Sequence, residues 1–144
     1  MKVCGVELVG GDAIISLLSY EGDTFTVPEC RKRSFSVSKS AETESIREFA
    51  FTFNKLMEDY HVDRVVILER HQKGKHMGSA TSFKLEAAIQ LQDTPVYLID
   101  SLTVKEQLKR NPPHVDFDEL ELKRFQKKAF EVAYAYQNQQ IYQK

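Results

Sequence analysis

The chain has 144 residues, 42% of them hydrophobic and 28% charged, which suits one domain around one core and excludes a disordered or membrane-like chain. The formal net charge is −1, from 20 basic and 21 acidic residues, so the chain lacks the positive excess of a protein that coats nucleic acid without preference. Its longest apolar runs, Ala13–Leu18 and Val65–Leu68, are too short to cross a bilayer, so no membrane partner is expected.

The N-terminus opens directly into a strand-like run, without the apolar core and small-residue cleavage site of a signal peptide, so a cytoplasmic location is expected. Lys2–Val9 alternates and is rich enough in β-branched residues to form a strand. Gly10-Gly11-Asp12 supplies a turn, and Ala13–Tyr20 reads as a second, well-buried strand. After the turn residues Glu21-Gly22-Asp23, Phe25–Val37 reads as a third strand, with Pro28 implying an edge or a bulge. These three form an antiparallel meander.

Ser40 or Thr43 then caps a helix whose apolar residues Ile46, Phe49, Phe53 and Leu56 recur at helical spacing. Val62–Leu68 is a nearly continuous apolar run, as in a buried parallel strand. Gly74–Gly78 lies in a loop, Ala80–Leu91 forms a second helix, and Pro95–Ile99 a fifth strand. Ser101 or Thr103 caps a short helix through Leu108, which Pro112-Pro113 stops. Phe117–Tyr136 is the longest helix, and the polar end, 138–144, is expected to fray. Residues 1–137 thus make a single α/β domain: a mixed five-stranded sheet, three strands of meander plus two parallel strands joined by right-handed crossovers, with helices on its faces. Cys4 and Cys30 have neither a C-x-x-C nor a zinc spacing and are expected to be reduced thiols, Cys4 in the core.

This order of elements resembles the RNase H superfamily and, within it, the RuvC-type Holliday-junction resolvases. Gly5-Val6-Glu7 stands where those proteins have Gly-Ile-Asp on the first strand. Val65-Val66-Ile67-Leu68-Glu69 stands where they end the fourth strand with a glutamate. Val104-Lys105 is similar to their Val-Lys pair, and Ala129 with Val132-Ala133-Tyr134-Ala135 resembles their Ala-rich closing helix. Over nearly its whole length the chain also resembles a family of small bacterial proteins classed as domain of unknown function 3010.

The resemblance implies a catalytic pair, Glu7 and Glu69, at the carboxyl ends of adjacent strands, where open α/β sheets place ligands. By alternation Glu7 shares a face with Val3, Gly5 and Val9, and a carboxylate there is costly unless it is paired or metal-bound. With a third acid the pair would hold Mg²⁺ or Mn²⁺ for phosphodiester cleavage. The residues alone equally allow Glu7 to pair with a lysine and Glu69 to be a strand-end acid or a partner of Arg70.

The resolvases carry two aspartates three residues apart on the last helix, and an ungapped match places Lys127 and Phe130 there. Neither binds a hard cation. Glu131 is adjacent, but a helical wheel with Leu122, Phe125, Ala129, Val132 and Tyr136 on the apolar side turns it away. Asp118 and Glu121 keep the spacing and become the expected further metal ligands, or else form an acidic first turn that offsets the helix dipole.

Directly after Glu69, the loop residues Arg70, His71, Lys73, Lys75 and His76 are expected to grip phosphates, with Lys84 and Lys105 extending the basic rim. A solvated loop and ordinary helix-surface charges would look the same. The expected function is a divalent-metal-dependent nuclease or resolvase-like protein acting on nucleic acid. The alternative is a non-catalytic module of the same fold that binds nucleic acid or a protein. A homodimer is the expected assembly by resemblance.

Overall fold

The computed structural model describes residues 1–75 and 77–142. Strand β1 (Lys2–Val9) turns through Gly10, whose φ of 58° is the left-handed conformation glycine adopts freely, into antiparallel β2 (Asp12–Glu21). On its other side β1 pairs in parallel with β5 (Arg64–Leu68), which pairs in parallel with β6 (Val96–Ile99). Two further strands share the outer edge of β2: β3 (Thr24–Thr26) at one end and β4 (Ser34–Ser36) at the other. The sheet order is β3-β2-β1-β5-β6, with β4 also on β2.

The sheet therefore has six strands where five were expected, because the third strand is broken in two. Its pairing resumes at Ser34 opposite Ile14 after ending at Thr26 opposite Ser19, so this stretch has three more residues than the facing stretch of β2. No ladder absorbs that excess. Pro28 donates no N–H, and residues 27–33 loop out until Ile15 N–H reaches the Arg33 carbonyl at 3.0 Å.

One face of the sheet carries α1 (Thr43–Asp59) and α2 (Ala80–Gln90). Cys4, Val6 and Leu8 of β1 point there, with Ile15, Leu17, Val65 and Ile67, against Phe49, Phe53, Leu56, Met57, Leu85 and Ile89. The other face carries α3 (Ser101–Arg110) and α4 (Lys127–Tyr142), packed on Val3, Leu18, Val66 and Ile99. Asp100, one residue before the expected caps, accepts a hydrogen bond from Thr103 N–H at 2.7 Å and starts α3. That bond holds the Asp100 carboxyl below the usual carboxylate range.

The last helix differs most from expectation. Residues 111–126 form a connection with two short 3₁₀ turns, Phe117–Glu119 and Arg124–Gln126, and α4 begins only at Lys127. It runs on through Tyr142, burying Gln137 and Asn138 where a fraying end was expected. Two glutamines fix its direction. Gln126 Nε2 donates to the Ile15 carbonyl at 2.8 Å, and Gln137 Nε2 to the carbonyls of Met1 at 2.9 Å and Leu18 at 3.2 Å. Helix α4 therefore runs along β2 and antiparallel to β1. No helix among the described residues is long and apolar enough to cross a membrane.

Candidate functional site

Strands β1, β5 and β6 all end on one edge of the sheet, and Glu7 lies at that end of β1. The helix above it comes unusually close, for a reason two residues earlier in the chain. A Cβ at Gly5 would run into the Ala129 carbonyl oxygen and would lie 2.8 Å from Ala133 N and 2.9 Å from Ala133 Cβ. The absent side chain of Gly5 and the small Ala129 and Ala133 let α4 rest directly on β1. Glu7 follows Gly5 on the same face, about 6–7 Å further along the strand. Since α4 runs antiparallel to β1, its first turns cover that carboxylate.

Glu7 is half-buried, and no side chain among the described residues donates a hydrogen bond to it. Burial pushes its carboxyl pKa up. Lys128 pulls it down, and Glu131 pushes it up again. Lys128 Nζ also lies 3.8 Å from Glu131 Oε1. Glu7 itself makes no ion pair among the described residues, so these two charges act on it through space.

Glu131 is partly buried and pairs with Lys128 on the same helix. Leu122 and Phe125, two of the five residues on the apolar wheel, precede α4, and Phe125 is 50% exposed, while Ala129, Val132 and Tyr136 are buried within the helix. Phe130 is buried, with ring centroids 5.9 Å from Phe117 and 6.0 Å from Tyr134, and Lys127 is exposed.

The other expected ligands lie elsewhere. Asp118 is exposed in the first 3₁₀ turn, and Glu121 is exposed in the segment between the two turns. Glu121 borders a cavity of about 560 Å³ between that segment, the 27–33 loop and β2. Glu69 is exposed just past β5, and its backbone N–H donates to the Ile99 carbonyl at 2.8 Å. The register pairs Val6 with Ile67, which sets Leu68 beside Glu7 and Glu69 one residue beyond. Among the described residues, no three Asp, Glu, His or Cys side chains come together as a group able to hold a metal ion. A hard dication needs several oxygen donors, and Glu69, Asp118 and Glu121 lie exposed on separate segments and do not gather around Glu7. The residues as placed do not fit Mg²⁺ or Mn²⁺.

The basic residues divide into committed and free. Arg70 is 12% exposed and bound on all sides: Nη2 to Glu86 Oε1 at 3.1 Å, Nε to Ser82 Oγ at 3.1 Å, Nη1 to the Leu68 carbonyl at 3.3 Å. Its guanidinium lies 4.6 Å from the centroid of the Phe83 ring. Lys84 is exposed and donates to the Ser40 carbonyl at 2.9 Å. His71, Lys73 and Lys75 are exposed around Gly74, whose φ is 94°, and Lys105 is exposed on α3. His76 lies outside the described residues.

Sequence reasoning missed Lys128 as a charge acting on Glu7. The available signal was Gly5 with Ala129 and Ala133, a glycine facing two alanines one helical turn apart, which fixes where the helix docks.

The sheet order, the crossovers and the closing helix define an RNase H-like fold of the RuvC type. The chain is similar to Thermus thermophilus RuvC, at 14% identity over 98% of this chain and 96% of that one, with a TM-score of 0.75. It is likewise similar to T. thermophilus RuvC in complex with a Holliday junction substrate, at 12% identity over 98% and 95% of the two chains, with a TM-score of 0.75. Fowlpox virus resolvase in complex with Holliday junction DNA matches at 12% identity over 99% of this chain and 100% of that one, with a TM-score of 0.57. Identities this low speak for the fold. No curated protein matches the sequence. The chain belongs to the family described as protein of unknown function, DUF3010, whose model matches residues 1–136.

Proposed function

We propose that this protein binds structured or branched nucleic acid at the carboxyl edge of β1, β5 and β6, as a resolvase-like module with a reduced acidic centre. One observation carries the reading: a half-buried Glu7, kept at an energetic cost, lies at the sheet edge that an exposed basic loop follows. His71, Lys73 and Lys75, with Lys105 on α3, would contact phosphates, which position a nucleic acid without reading its sequence. Arg70 and Lys84 would contribute less, since both are held by neighbours. Neighbouring structures with Holliday junction DNA support this class of ligand. The working location would be the cytoplasm, and the working unit a homodimer, for which β6 offers an edge strand with Tyr97 and Leu98 exposed.

A cleaving enzyme is the second reading, favoured by the half-buried Glu7 near the end of β1 and Glu69 just past the end of the adjacent β5. Glu7 and Glu69 would be its catalytic pair, with Mg²⁺ or Mn²⁺ as cofactor. Asp118 and Glu121 are weaker candidates as ligands, being off α4.

Fluorescence anisotropy with a four-way junction and a linear duplex of equal length separates these readings. We expect tighter binding of the junction, weakening with salt at a slope of about −0.9 per phosphate contact. Replacing His71, Lys73 and Lys75 together by alanine should lower affinity about tenfold or more. Equal, salt-insensitive binding of both DNAs would sink the proposal. Cleavage in Mg²⁺ or Mn²⁺ that Glu7→Gln abolishes would promote the second reading.

A further inference from the structure

We propose that the cavity at the outer edge of β2 is a second binding site, one that takes a small organic phosphate. It lies apart from the carboxyl edge of β1, β5 and β6 and does not depend on the reading of that edge.

The cavity exists because the meander is broken. On β2 the pairing with β3 stops at Ser19 and the pairing with β4 starts at Ile14, so between them the edge of β2 faces a loop. Residues 27–33 on one side and 121–126 on the other enclose about 560 Å³ there. Both walls are tied down. Arg31 Nη2 lies 2.7 Å from Asp59 Oδ2, and Arg31 N–H donates to the Tyr60 hydroxyl at 2.8 Å. Gln126 is fixed to the Ile15 carbonyl, and its Oε1 accepts from Lys123 N–H at 2.8 Å. The space is therefore preformed, and its size is that of a small-molecule site.

The groups inside it lack partners. Ser16 is 2% exposed and borders the cavity, and its Oγ has no hydrogen-bond partner. Ile15 and Leu17 point to the α1–α2 face, so Ser16 points to the α4 face, where Leu122 packs as well. Leu17 N–H points out of the sheet edge, as Ile15 N–H does, and meets no backbone acceptor among the described residues. Buried donors without acceptors are rare, and these two face a cavity that can supply one.

Four cations border the cavity, Arg31, Lys32, Arg33 and Lys123, against two carboxylates, Glu29 and Glu121. Among the described residues, Arg33 and Lys123 form no ion pair. Donors within and surplus cations around them select an oxyanion, and a phosphate has acceptor oxygens enough for both. Val27, Pro28 and Leu122 add an apolar wall for the organic part. A cavity of this size takes a small molecule and not a duplex.

The test is isothermal titration calorimetry of the full chain with adenosine monophosphate and with inorganic pyrophosphate, circular dichroism confirming the fold of each variant. At least one probe should bind with a Kd below about 1 mM. Arg33→Gln with Lys123→Gln should weaken that binding about tenfold or more. Ser16→Ala should weaken it about threefold or more without lowering the melting temperature, since the hydroxyl has no partner in the fold. Alanine at His71, Lys73 and Lys75 together should leave it unchanged. Failure of both probes to bind would overturn the proposal, and so would binding that survives the Arg33/Lys123 double variant. Binding lost in the triple alanine variant would assign the phosphate to the carboxyl edge instead. A Ser16→Ala variant that melts lower and binds as wild type would give the hydroxyl a structural role and overturn the site.

Discussion

The two faces of the sheet hold their helices by different means. On the α1–α2 face the contact is bulky: Phe35, Phe49 and Phe53 lie with ring centroids 5.4–5.8 Å apart, over Ile15 and Ile67. On the α3–α4 face the closest approach is made by absence, the missing side chain of Gly5 beneath two alanines. Each side also carries one charge near the carboxyl edge, and the two are treated differently. Arg70, against α2, has an ion pair, hydrogen bonds and an aromatic ring. Glu7, under α4, has no hydrogen-bond donor among the described side chains, only a nearby ammonium and a competing carboxylate. A charge fully met by its partners stabilises a fold. A charge left partly unmet costs stability, which is how binding sites differ from the structure around them.

Gly5→Ala is the strongest way to break this contrast. The new methyl meets backbone atoms of α4, which cannot rotate aside as a side chain does. We expect a loss of about 3 kcal/mol or more, read as a drop in denaturation midpoint, with earlier hydrogen exchange in α4 than in α1. A loss below about 1 kcal/mol would mean that α4 is not held against β1 as described.

The sequence made the central strands legible for a physical reason. The β-rich run Lys2–Val9 and the unbroken apolar run Val65–Leu68 both reflect central strands covered on both faces, which few other arrangements produce. The split of β3 from β4 was not legible, because it comes from a mismatch in length between two strands and no residue type announces that. Helical spacing of apolar residues continued by accident through Leu120, Leu122 and Phe125, with no Gly or Pro to stop it, so α4 was drawn ten residues too early. That error carried into the site. Glu7 and Glu69 were visible as motif positions, whereas Glu131 and Lys128 depend on where the helix starts and how it is rotated.

Arg70→Met sharpens the other side of the comparison. Methionine keeps the contact with Phe83 but leaves Glu86, itself 12% exposed, without its cation. We expect a loss of about 2–3 kcal/mol in equilibrium unfolding, and little change in nucleic-acid affinity. A large loss of affinity with unchanged stability would move Arg70 from the framework to the binding surface.

Glu7→Gln should have the smallest effect on stability and the opposite sign. Burial raises the Glu7 pKa in the folded state above its value in the unfolded chain. The folded protein therefore holds that proton to higher pH than the unfolded chain does, and ionising Glu7 costs stability. The cost is absent below the ordinary glutamate pKa, grows as pH rises through the interval up to the folded pKa, and is constant above it. Glutamine keeps the shape and removes the charge, so the variant should melt slightly higher than wild type at pH 7. The two should converge in acid, below the ordinary glutamate pKa. The gain at neutral pH is limited by loss of the attraction to Lys128, and in a Lys128→Gln background, where nothing offsets the charge, Glu7→Gln should stabilise more. Thermal melts of the four proteins at pH 7 and in acid form a complete double-mutant cycle. A Glu7→Gln variant less stable than wild type at pH 7 would show that Lys128 fully satisfies the carboxylate, and would place Glu7 with Arg70 among the structural charges.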